Sequence, residues 1–362
     1  MAEPSSMAEP SPAGSSAAAG RPRAAAVLLL TAALLAGCTT GAAAPPREGP
    51  PAPDPHSSAS GRTTPSAAHA ATLASLRKVD DHPLWTMRYQ GGYDRLAELA
   101  PEPTPTGFGC SLFAAHGDPA APVFGRNFDY AHQPALLLFT APPDGHASVS
   151  MVDVSYLGLT SEADFTTAAG REALLKAPLL PFDGMNAKGL VVGMATVPAW
   201  EPGSDPARRT VGSVRIMRLV LDGAATVDEA VAVFGRHNVD PSDSPPLHYM
   251  VADAAGRSAI IEFVGGEMVV HRGRGPWQAM VNFTVTGSTE QSRQADHRYR
   301  TAAGALEAAG GRLPADRAMD LLARLRQGHT QWSIVYGGRS GEVRLATGRR
   351  YGTVHEFRLP MG

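Results

Sequence analysis

Several motifs that assign a function directly are missing from this sequence. There is no HExxH, no CxxC and no histidine pair at metal-binding spacing, so nothing predicts a zinc site. A GxGxxG after a strand, a P-loop and a Gly-x-Ser-x-Gly elbow are missing as well, which leaves no signature of nucleotide binding or of a serine nucleophile. The net charge is −2 and there is no basic patch, so nothing in the sequence indicates nucleic-acid binding and no such partner is expected. No metal or organic cofactor is expected.

Cysteine is almost absent, with Cys38 and Cys110 as the two copies in 362 residues. Cys38 ends a segment typical of secretion, in which two arginines precede an apolar run, residues 24–36, too short to span a bilayer. The run leads into Leu-Ala-Gly-Cys, which resembles a bacterial lipobox, where the cysteine becomes the lipidated first residue. We therefore expect residues 1–37 to be a lipoprotein signal peptide and Cys38 to anchor the exported chain at the cell membrane. The alternative is an ordinary signal peptide with a chance cysteine.

The next segment, residues 38–70, is rich in Ala, Pro, Ser and Gly. It has no periodic apolar face, and its prolines oppose helix formation, so it predicts a disordered tether. The apolar pattern becomes regular from about residue 72 and continues to about residue 359, which indicates one folded domain.

Within this domain, groups of strands alternate with pairs of helices. Residues 110–115 and 122–128 predict a hairpin, and residues 181–196 predict a second one around an Asn-to-Gly turn. Thr226 and Glu229 have the spacing of a helical capping box. Because the elements do not follow a βαβ order, the sequence predicts an α+β fold with helices packed on sheets.

Cys110 is the lone thiol of this domain. With Cys38 lipidated it cannot form a disulfide within the chain, so it is either buried and inert or reactive. His116 and His132 are near in sequence, but neither lies in a cysteine-protease signature, and each is expected on the surface or in a loop. A thiol is mostly protonated near neutral pH, so a reactive Cys110 needs a base.

The residues that follow Cys110 supply a family resemblance. Arg126 and Asp129 lie in Gly-Arg-Asn-Phe-Asp, sixteen and nineteen residues after the cysteine. This arrangement resembles the N-terminal-nucleophile hydrolases of the choloylglycine hydrolase and penicillin V acylase type, to which isopenicillin-N acyltransferase and acid-ceramidase-like amidases are related. Later blocks resemble the family in the same order; they are residues 182–198, 247–263, 281–284, 297–303 and 330–336. The resemblance implies a four-layer αββα sandwich of two antiparallel sheets flanked by helices.

The resemblance also implies a mechanism. Precursors of this type cleave themselves before the cysteine, and the new α-amino group serves as the base for the thiol. The pKa of such an amino group, about 7.7–8.0, suits proton transfer near neutral pH. Residues 110–362 would then be the catalytic domain, and residues 71–109 a pro-segment docked on it.

Four polar residues acquire roles from the same resemblance. Arg126 would favour the Cys110 thiolate by its charge, and Asp129 would orient the α-amino group. Asn282 would donate its side-chain amide to the tetrahedral oxyanion, and Arg298 would complete the polar network.

Thr196 marks a departure from the family. Bile-salt-type members have an asparagine at this place, whereas Thr196 offers its backbone N–H as an oxyanion donor. Bile salts are therefore the least expected substrates, and penicillin V-like amides, N-acyl homoserine lactones and N-acyl amino acids all fit better.

The leading hypothesis is an exported, lipid-anchored cysteine amidase. It would hydrolyse a linear amide C–N bond of a small N-acyl substrate through a thioester on Cys110. The alternatives are an acyltransferase with the same thioester and a non-catalytic ligand-binding lipoprotein. The sequence leaves open the oligomeric state and whether processing releases the catalytic domain from the membrane.

Overall fold

The computed structural model describes residues 65–97, 99, 109–240, 242 and 245–362. The predicted signal peptide, the lipidation site Cys38 and most of the predicted tether lie outside these residues, as do residues 98 and 100–108 of the predicted pro-segment. Helix α1 (Pro65–Ala74) begins inside the segment predicted as tether. Proline is tolerated in the first turn of a helix, and the alanines that follow favour helix formation, so regular structure begins before residue 70.

Seventeen strands form three sheets in the described part of the chain. In chain order they are β1 (Arg77–Asp80), β2 (Leu84–Arg88), β3 (Gly109–Ala115), β4 (Val123–Asp129), β5 (Ala135–Thr140), β6 (Ser148–Asp153), β7 (Asp183–Asn186), β8 (Val191–Thr196), β9 (Arg209–Gly212), β10 (His237–Asp240), β11 (Leu247–Ala252), β12 (Ser258–Val264), β13 (Glu267–Arg272), β14 (Trp277–Met280), β15 (Thr330–Gly337), β16 (Glu342–Thr347) and β17 (His355–Arg358).

The α-helices of the same residues are shorter than fifteen residues each. After α1 they are α2 (Ala168–Leu174), α3 (Arg215–Gly223), α4 (Val227–Gly235), α5 (Glu290–Ala295), α6 (His297–Ala308) and α7 (Ala315–Leu325). Three short 3₁₀ turns join β6 to β7, at Val154–Leu157, Glu162–Thr166 and Ala177–Leu179. Within the ranges described, no helix combines the length and the apolar character needed to cross a membrane.

Two large sheets form the body of this domain. One has nine strands in the order β1-β2-β5-β6-β7-β8-β11-β12-β13, and the other has six in the order β14-β3-β4-β15-β16-β17. Strands β9 and β10 form a separate parallel pair. All pairs in the six-stranded sheet are antiparallel, as are those in the nine-stranded sheet apart from β2 and β5.

Helices cover the outer faces of the two large sheets. Helices α3 and α4 contact strands of the nine-stranded sheet, and α6 and α7 contact strands of the six-stranded sheet. Strand β3 contacts β8 across the interface between the sheets. The order of layers is helices, sheet, sheet, helices, which confirms the α+β prediction and the four-layer sandwich that the resemblance implied.

Strands β1 and β2 come from the predicted pro-segment and extend the nine-stranded sheet. Strand β2 pairs with β5 in parallel, with Leu84 opposite Ala135 and Arg88 opposite Phe139. Leu84 and Met87 are fully buried. This parallel pair differs from the predicted antiparallel sheets. It arises because β3 and β4, which belong to the other sheet, separate β2 from β5 and supply the long connection that parallel strands require.

Alternation along β3 divides its side chains between two cores. Cys110, Leu112 and Ala114 pack in the core between the sheets, whereas Phe113 and Ala115 pack beneath the helices on the outer face. Successive side chains of a strand point to opposite faces. The fold therefore places the Cys110 thiol between the two sheets.

Candidate active site

Cys110 is the second residue of β3 and is 1 % exposed. In the β3–β4 hairpin it lies opposite Phe128, and Leu112 lies opposite Arg126. Because alternate residues share a face, Cys110 and Arg126 both point into the space between the sheets. The predicted hairpin is therefore what brings the thiol and the guanidinium together.

Arg126 is fully buried and bonded on both terminal nitrogens. Its Nη2 lies 3.6 Å from Cys110 Sγ and donates to the carbonyl oxygen of Met194 at 3.0 Å. Its Nη1 donates to the carbonyl oxygen of Phe182 at 2.6 Å and to Asp183 Oδ2 at 2.5 Å. These contacts fix the guanidinium plane, so one edge of the cation is held against the thiol.

Asp183 is the partner of Arg126 that the sequence analysis missed. It lies at the start of β7 and is fully buried. Besides Arg126, it accepts hydrogen bonds from Trp332 Nε1 at 3.1 Å and from the Tyr336 hydroxyl at 2.5 Å. A buried arginine requires a compensating charge. The signal that could have found Asp183 is a single acidic residue inside an apolar block predicted as a strand.

The charge of Arg126 does not by itself make Cys110 a thiolate. Burial raises the pKa of the Cys110 thiol above its ordinary value. Arg126 and the backbone N–H of Asp129 lower this pKa, but burial outweighs them. The thiol of the uncleaved chain therefore stays protonated near neutral pH, and its reactivity requires a base.

Asp129 ends β4 on the face opposite to Cys110. Its Oδ1 accepts a hydrogen bond from Thr330 Oγ1 at 2.5 Å, while its buried Oδ2 has no hydrogen-bond partner among the described residues. Burial raises the pKa of this carboxyl to about 6. Asp129 lies opposite Gly109, and a Cβ added to Gly109 would be 3.3 Å from Oδ2. The carboxylate thus faces the residue that precedes Cys110.

Asn282 lies just beyond β14 and holds the backbone of Cys110. Its Oδ1 accepts from the Cys110 backbone nitrogen at 2.8 Å and from Arg298 Nη1 at 2.7 Å. Arg298 Nη1 also donates to the carbonyl oxygen of Cys110 at 2.9 Å, and Asp296 Oδ2 pairs with Nη2 at 3.1 Å. Because both neighbours of Oδ1 are donors, the amide oxygen of Asn282 must face them.

The amide nitrogen of Asn282 consequently points to Thr196. It donates to the carbonyl oxygen and to Oγ1 of Thr196, each at 2.9 Å. Thr196 ends β8 at the mouth of the same site. In the uncleaved chain the Asn282 amide hydrogens are therefore engaged, and their donation to an oxyanion stays a prediction, as does that of the Thr196 backbone N–H.

A small, narrow pocket lies at the thiol. Its lining is mainly apolar and comes from both large sheets and the segments around them. The described lining residues are Cys110, Arg126, Phe128, Tyr156, Phe182, Met194, Ala195, Thr196, Val214, Pro245 and Leu247. A group that reached Cys110 through this pocket would be surrounded by hydrocarbon and aromatic rings.

The structure thus brings the predicted site residues of the folded domain into one constellation. They are Cys110, Arg126, Asp129, Thr196, Asn282 and Arg298. Their catalytic roles stay predictions. Among the residues that the structure describes, no group of three or more His, Cys, Asp or Glu side chains could hold a metal ion.

The family model described as linear amide C–N hydrolases, choloylglycine hydrolase family, matches residues 110–283. The match begins at Cys110 and ends one residue after Asn282, so it contains the β3–β4 hairpin with Arg126. It confirms, over a little less than half of the chain, the resemblance that the sequence predicted.

Two individual proteins extend this comparison. Penicillin V acylase from Pectobacterium atrosepticum is 28% identical over 181 residues, which are 46% of this chain and 46% of the acylase. The chain therefore spans about half the length of this curated relative. A solved mutant of conjugated bile acid hydrolase from Clostridium perfringens superposes with a TM-score of 0.51 at 14% identity, covering 69% of this chain and 92% of that chain. At such identity the likeness shows the fold.

Proposed function

We propose that this protein, a relative of the choloylglycine hydrolase family of linear amide C–N hydrolases, is an exported cysteine amidase that cleaves itself before Cys110. The observation that carries the proposal is the environment of Cys110. Its thiol lies beside the Arg126 guanidinium at an apolar pocket, and its backbone nitrogen is held by Asn282 Oδ1. Cys110 therefore supplies the thiol, would supply the α-amino group after cleavage, and lines the pocket.

The peptide bond between Gly109 and Cys110 is the bond to be cleaved. Arg298 Nη1 contacts the carbonyl oxygen of Cys110, and the Asp129 carboxylate lies against Gly109. Cleavage would leave the Cys110 α-amino group beside Asn282 Oδ1, which already accepts from this nitrogen. The new amine would then be held within reach of its own thiol, as a base for that thiol must be.

In each turnover the α-amino group would take the thiol proton while Sγ attacks the carbonyl carbon of the substrate amide. The proton would pass to the leaving amine, and water would hydrolyse the thioester on Cys110. Because the pKa of Asp129 is about 6, its carboxylate is ionised near neutral pH and can stabilise the ammonium form of the base. Arg126 would stabilise the sulfur while it carries negative charge.

The pocket favours a small, uncharged acyl group. Among its described lining residues Arg126 alone carries a charge, and both of its terminal nitrogens are bonded to Asp183 or to carbonyl oxygens. The rings of Phe128, Tyr156 and Phe182 supply apolar surface for a phenoxyacyl or alkyl group. Penicillin V-like amides, N-acyl homoserine lactones and N-acyl amino acids meet this requirement.

Residues 65–99 would stay bound after cleavage and hold the enzyme at the membrane through lipidated Cys38. Strands β1 and β2 supply one edge of the nine-stranded sheet. Beyond them, Tyr93 donates to both carboxylate oxygens of the buried Asp222 at 2.9 Å, and Arg95 Nε pairs with Asp222 at 2.6 Å. These contacts do not depend on the peptide bond before Cys110.

Intact-mass measurement with N-terminal sequencing of the wild type and Cys110→Ala tests cleavage and anchoring together. We expect the wild type to contain a chain that begins at Cys110 and a piece that begins at Cys38 with the added mass of lipid. The variant should remain uncleaved. A wild-type chain without cleavage would leave the thiol without its amine base and would favour the ligand-binding lipoprotein.

Product analysis on a panel of N-acyl amides tests the reaction. We expect the wild type to release free acid and amine in water, with activity roughly a thousandfold or more lower in Cys110→Ala. Turnover that requires an added amine acceptor would instead indicate an acyltransferase. Failure of every N-acyl amide with a fully cleaved wild type would contradict the amidase proposal while leaving self-cleavage intact.

A further inference from the structure

A buried carboxylate lies behind the segment that carries Asn282. Glu262, on β12, is 2 % exposed and faces the loop that follows β14. Its Oε1 accepts from the Val285 backbone nitrogen at 2.6 Å. Its Oε2 accepts from the Thr286 backbone nitrogen at 2.8 Å and from Thr286 Oγ1 at 2.7 Å. One side chain thus fixes two consecutive residues of the loop.

Two histidines complete the surroundings of Glu262. His248 Nδ1, on β11, lies 3.1 Å from Oε1, and His271 Nε2, on β13, lies 3.2 Å from Oε2. Burial alone would raise the pKa of Glu262, but hydrogen bonds from His248, His271, Val285 and Thr286 outweigh it and hold this pKa well below its usual range. Glu262 is therefore a carboxylate, which can only accept hydrogen bonds.

The partners of His248 determine its protonation state. Its Nδ1 faces the Glu262 carboxylate, and its Nε2 lies 2.8 Å from the carbonyl oxygen of Val281. A neutral imidazole has one donor and one acceptor nitrogen, whereas both of these partners are acceptors. Opposite an ionised Glu262, both ring nitrogens of His248 would act as donors, which is the arrangement of an imidazolium.

These contacts fix Asn282 from both sides along the chain. His248 binds the carbonyl of the preceding residue, Val281, and Glu262 binds the backbone three and four residues later. We propose that Glu262, together with cationic His248, is a positioning residue that keeps Asn282 Oδ1 on the Cys110 nitrogen during self-cleavage and amide hydrolysis. The inference rests on the proposed function and adds a residue pair that never touches the substrate.

The chemistry of the pair favours positioning over stability. Removing two charges from water is costly, and a buried ion pair can often be replaced by apolar residues without loss of stability. A carboxylate that accepts five directional hydrogen bonds does, however, define where the loop backbone lies. A displacement of about 1 Å in catalytic geometry can cost roughly a hundredfold in rate.

Glu262→Gln tests the inference, with Glu267→Gln on the exposed part of β13 as its matched control. Turnover is expressed per cleaved chain in the folded gel-filtration fraction, because Cys110 is buried in the fold and a thiol titration would also count misfolded protein. We expect kcat of Glu262→Gln to fall about tenfold or more while KM stays within about twofold, and Glu267→Gln to match the wild type. Thr286→Val, which keeps the carboxylate and removes one donor, should cause a smaller loss in kcat.

Two readouts do not require a substrate. Selective ¹⁵N-histidine NMR should show both His248 ring nitrogens protonated in the wild type and not in Glu262→Gln, with His248→Asn identifying the signal. Alkylation of Cys110 by iodoacetamide should slow in Glu262→Gln and not in Glu267→Gln. A kcat of Glu262→Gln equal to that of the wild type would overturn the inference. If no substrate has been found, an alkylation rate of Glu262→Gln equal to that of the wild type would overturn it. If the wild type hydrolyses no amide but alkylation is still slower in Glu262→Gln, the result contradicts the amidase proposal and leaves the positioning of Asn282 supported.

Discussion

Arg126 and Arg218 are both fully buried arginines paired with an aspartate, yet they lie in different surroundings. Arg126 pairs with Asp183 at 2.5 Å and turns Nη2 toward the Cys110 thiol. Arg218, on α3, lies 3.3 Å from Asp222 and donates to hydroxyl groups on neighbouring elements. Only the first of these two cations faces a nucleophile and an open pocket.

The contacts of Arg218 indicate a structural task. Its Nη1 donates to Tyr93 at 3.1 Å and to Thr140 and Ser148 at 3.0 Å each. Asp222 in turn binds Tyr93 and Arg95 of the N-terminal segment. Burial and charge pairing are thus alike at the two sites. What differs is the thiol beside Arg126, which suits this arginine to the proposed catalytic role.

Arg126→Met should have the largest effect, because it removes the cation from both the thiol and Asp183. An uncompensated buried carboxylate would lower the free energy of unfolding by about 3–5 kcal/mol. Amide hydrolysis per folded molecule should fall roughly a hundredfold or more, since the sulfur loses its neighbouring charge. Urea unfolding in the Cys110→Ala background, where each chain stays in one piece, measures the first quantity, and turnover per cleaved chain in the folded gel-filtration fraction measures the second. Unchanged turnover would remove Arg126 from the mechanism.

Arg218→Met is the matched change at the other buried arginine. We expect a smaller loss of about 2–3 kcal/mol, because Asp222 keeps its bonds to Arg95 and Tyr93. Turnover per folded molecule should stay within about twofold of the wild type.

After self-cleavage, however, Arg218→Met should lose residues 65–99 more readily than the wild type. Gel filtration of the cleaved proteins in rising urea would measure the separation of the two pieces. If Arg218→Met lost as much turnover as Arg126→Met, the distinction drawn between the two arginines would be wrong.

Sequence signals were sufficient where the interacting residues are close along the chain. The capping box is present at α4, where Thr226 Oγ1 accepts from the Glu229 nitrogen and Glu229 accepts from the Thr226 nitrogen, both at 3.2 Å. The β3–β4 hairpin likewise formed where it was predicted, because residues 116–122 connect two strands that follow each other along the chain, and such strands commonly pair. Cys110 and Arg126 lie close together for the same reason, because they belong to the two strands of this hairpin.

Pairings between distant segments could not be predicted in this way. Asp183 is one of 34 acidic residues, and only the arrangement of β4 against β7 shows that it is the partner of Arg126. The bond from Glu262 to the loop after Asn282 depends in the same way on which sheet edges meet. Local patterns specify elements and turns, whereas the neighbours of a buried charge follow from the packing of both sheets.

Asp129 is a third buried aspartate, and it differs from Asp183 and Asp222 because no arginine among the described residues is in ion-pair contact with it. Burial raises its pKa to about 6, whereas an unfolded chain ionises this group near its ordinary value of about 3.9. Between pH 5 and pH 7 the Asp129 carboxyl is already ionised in the unfolded chain, whereas in the folded chain it must still lose its proton. The free energy of unfolding therefore decreases as pH rises through this range.

The stability of Cys110→Ala relative to Cys110→Ala/Asp129→Asn should therefore decrease by about 1 kcal/mol between pH 5 and pH 7. The uncharged asparagine has the same size and does not titrate, so other ionisable groups cancel in the difference. Urea unfolding of both variants at a series of pH values measures it. Parallel stability curves would mean that folding does not raise the pKa of Asp129, and a difference of the opposite sign would mean that the fold stabilises its carboxylate as an anion.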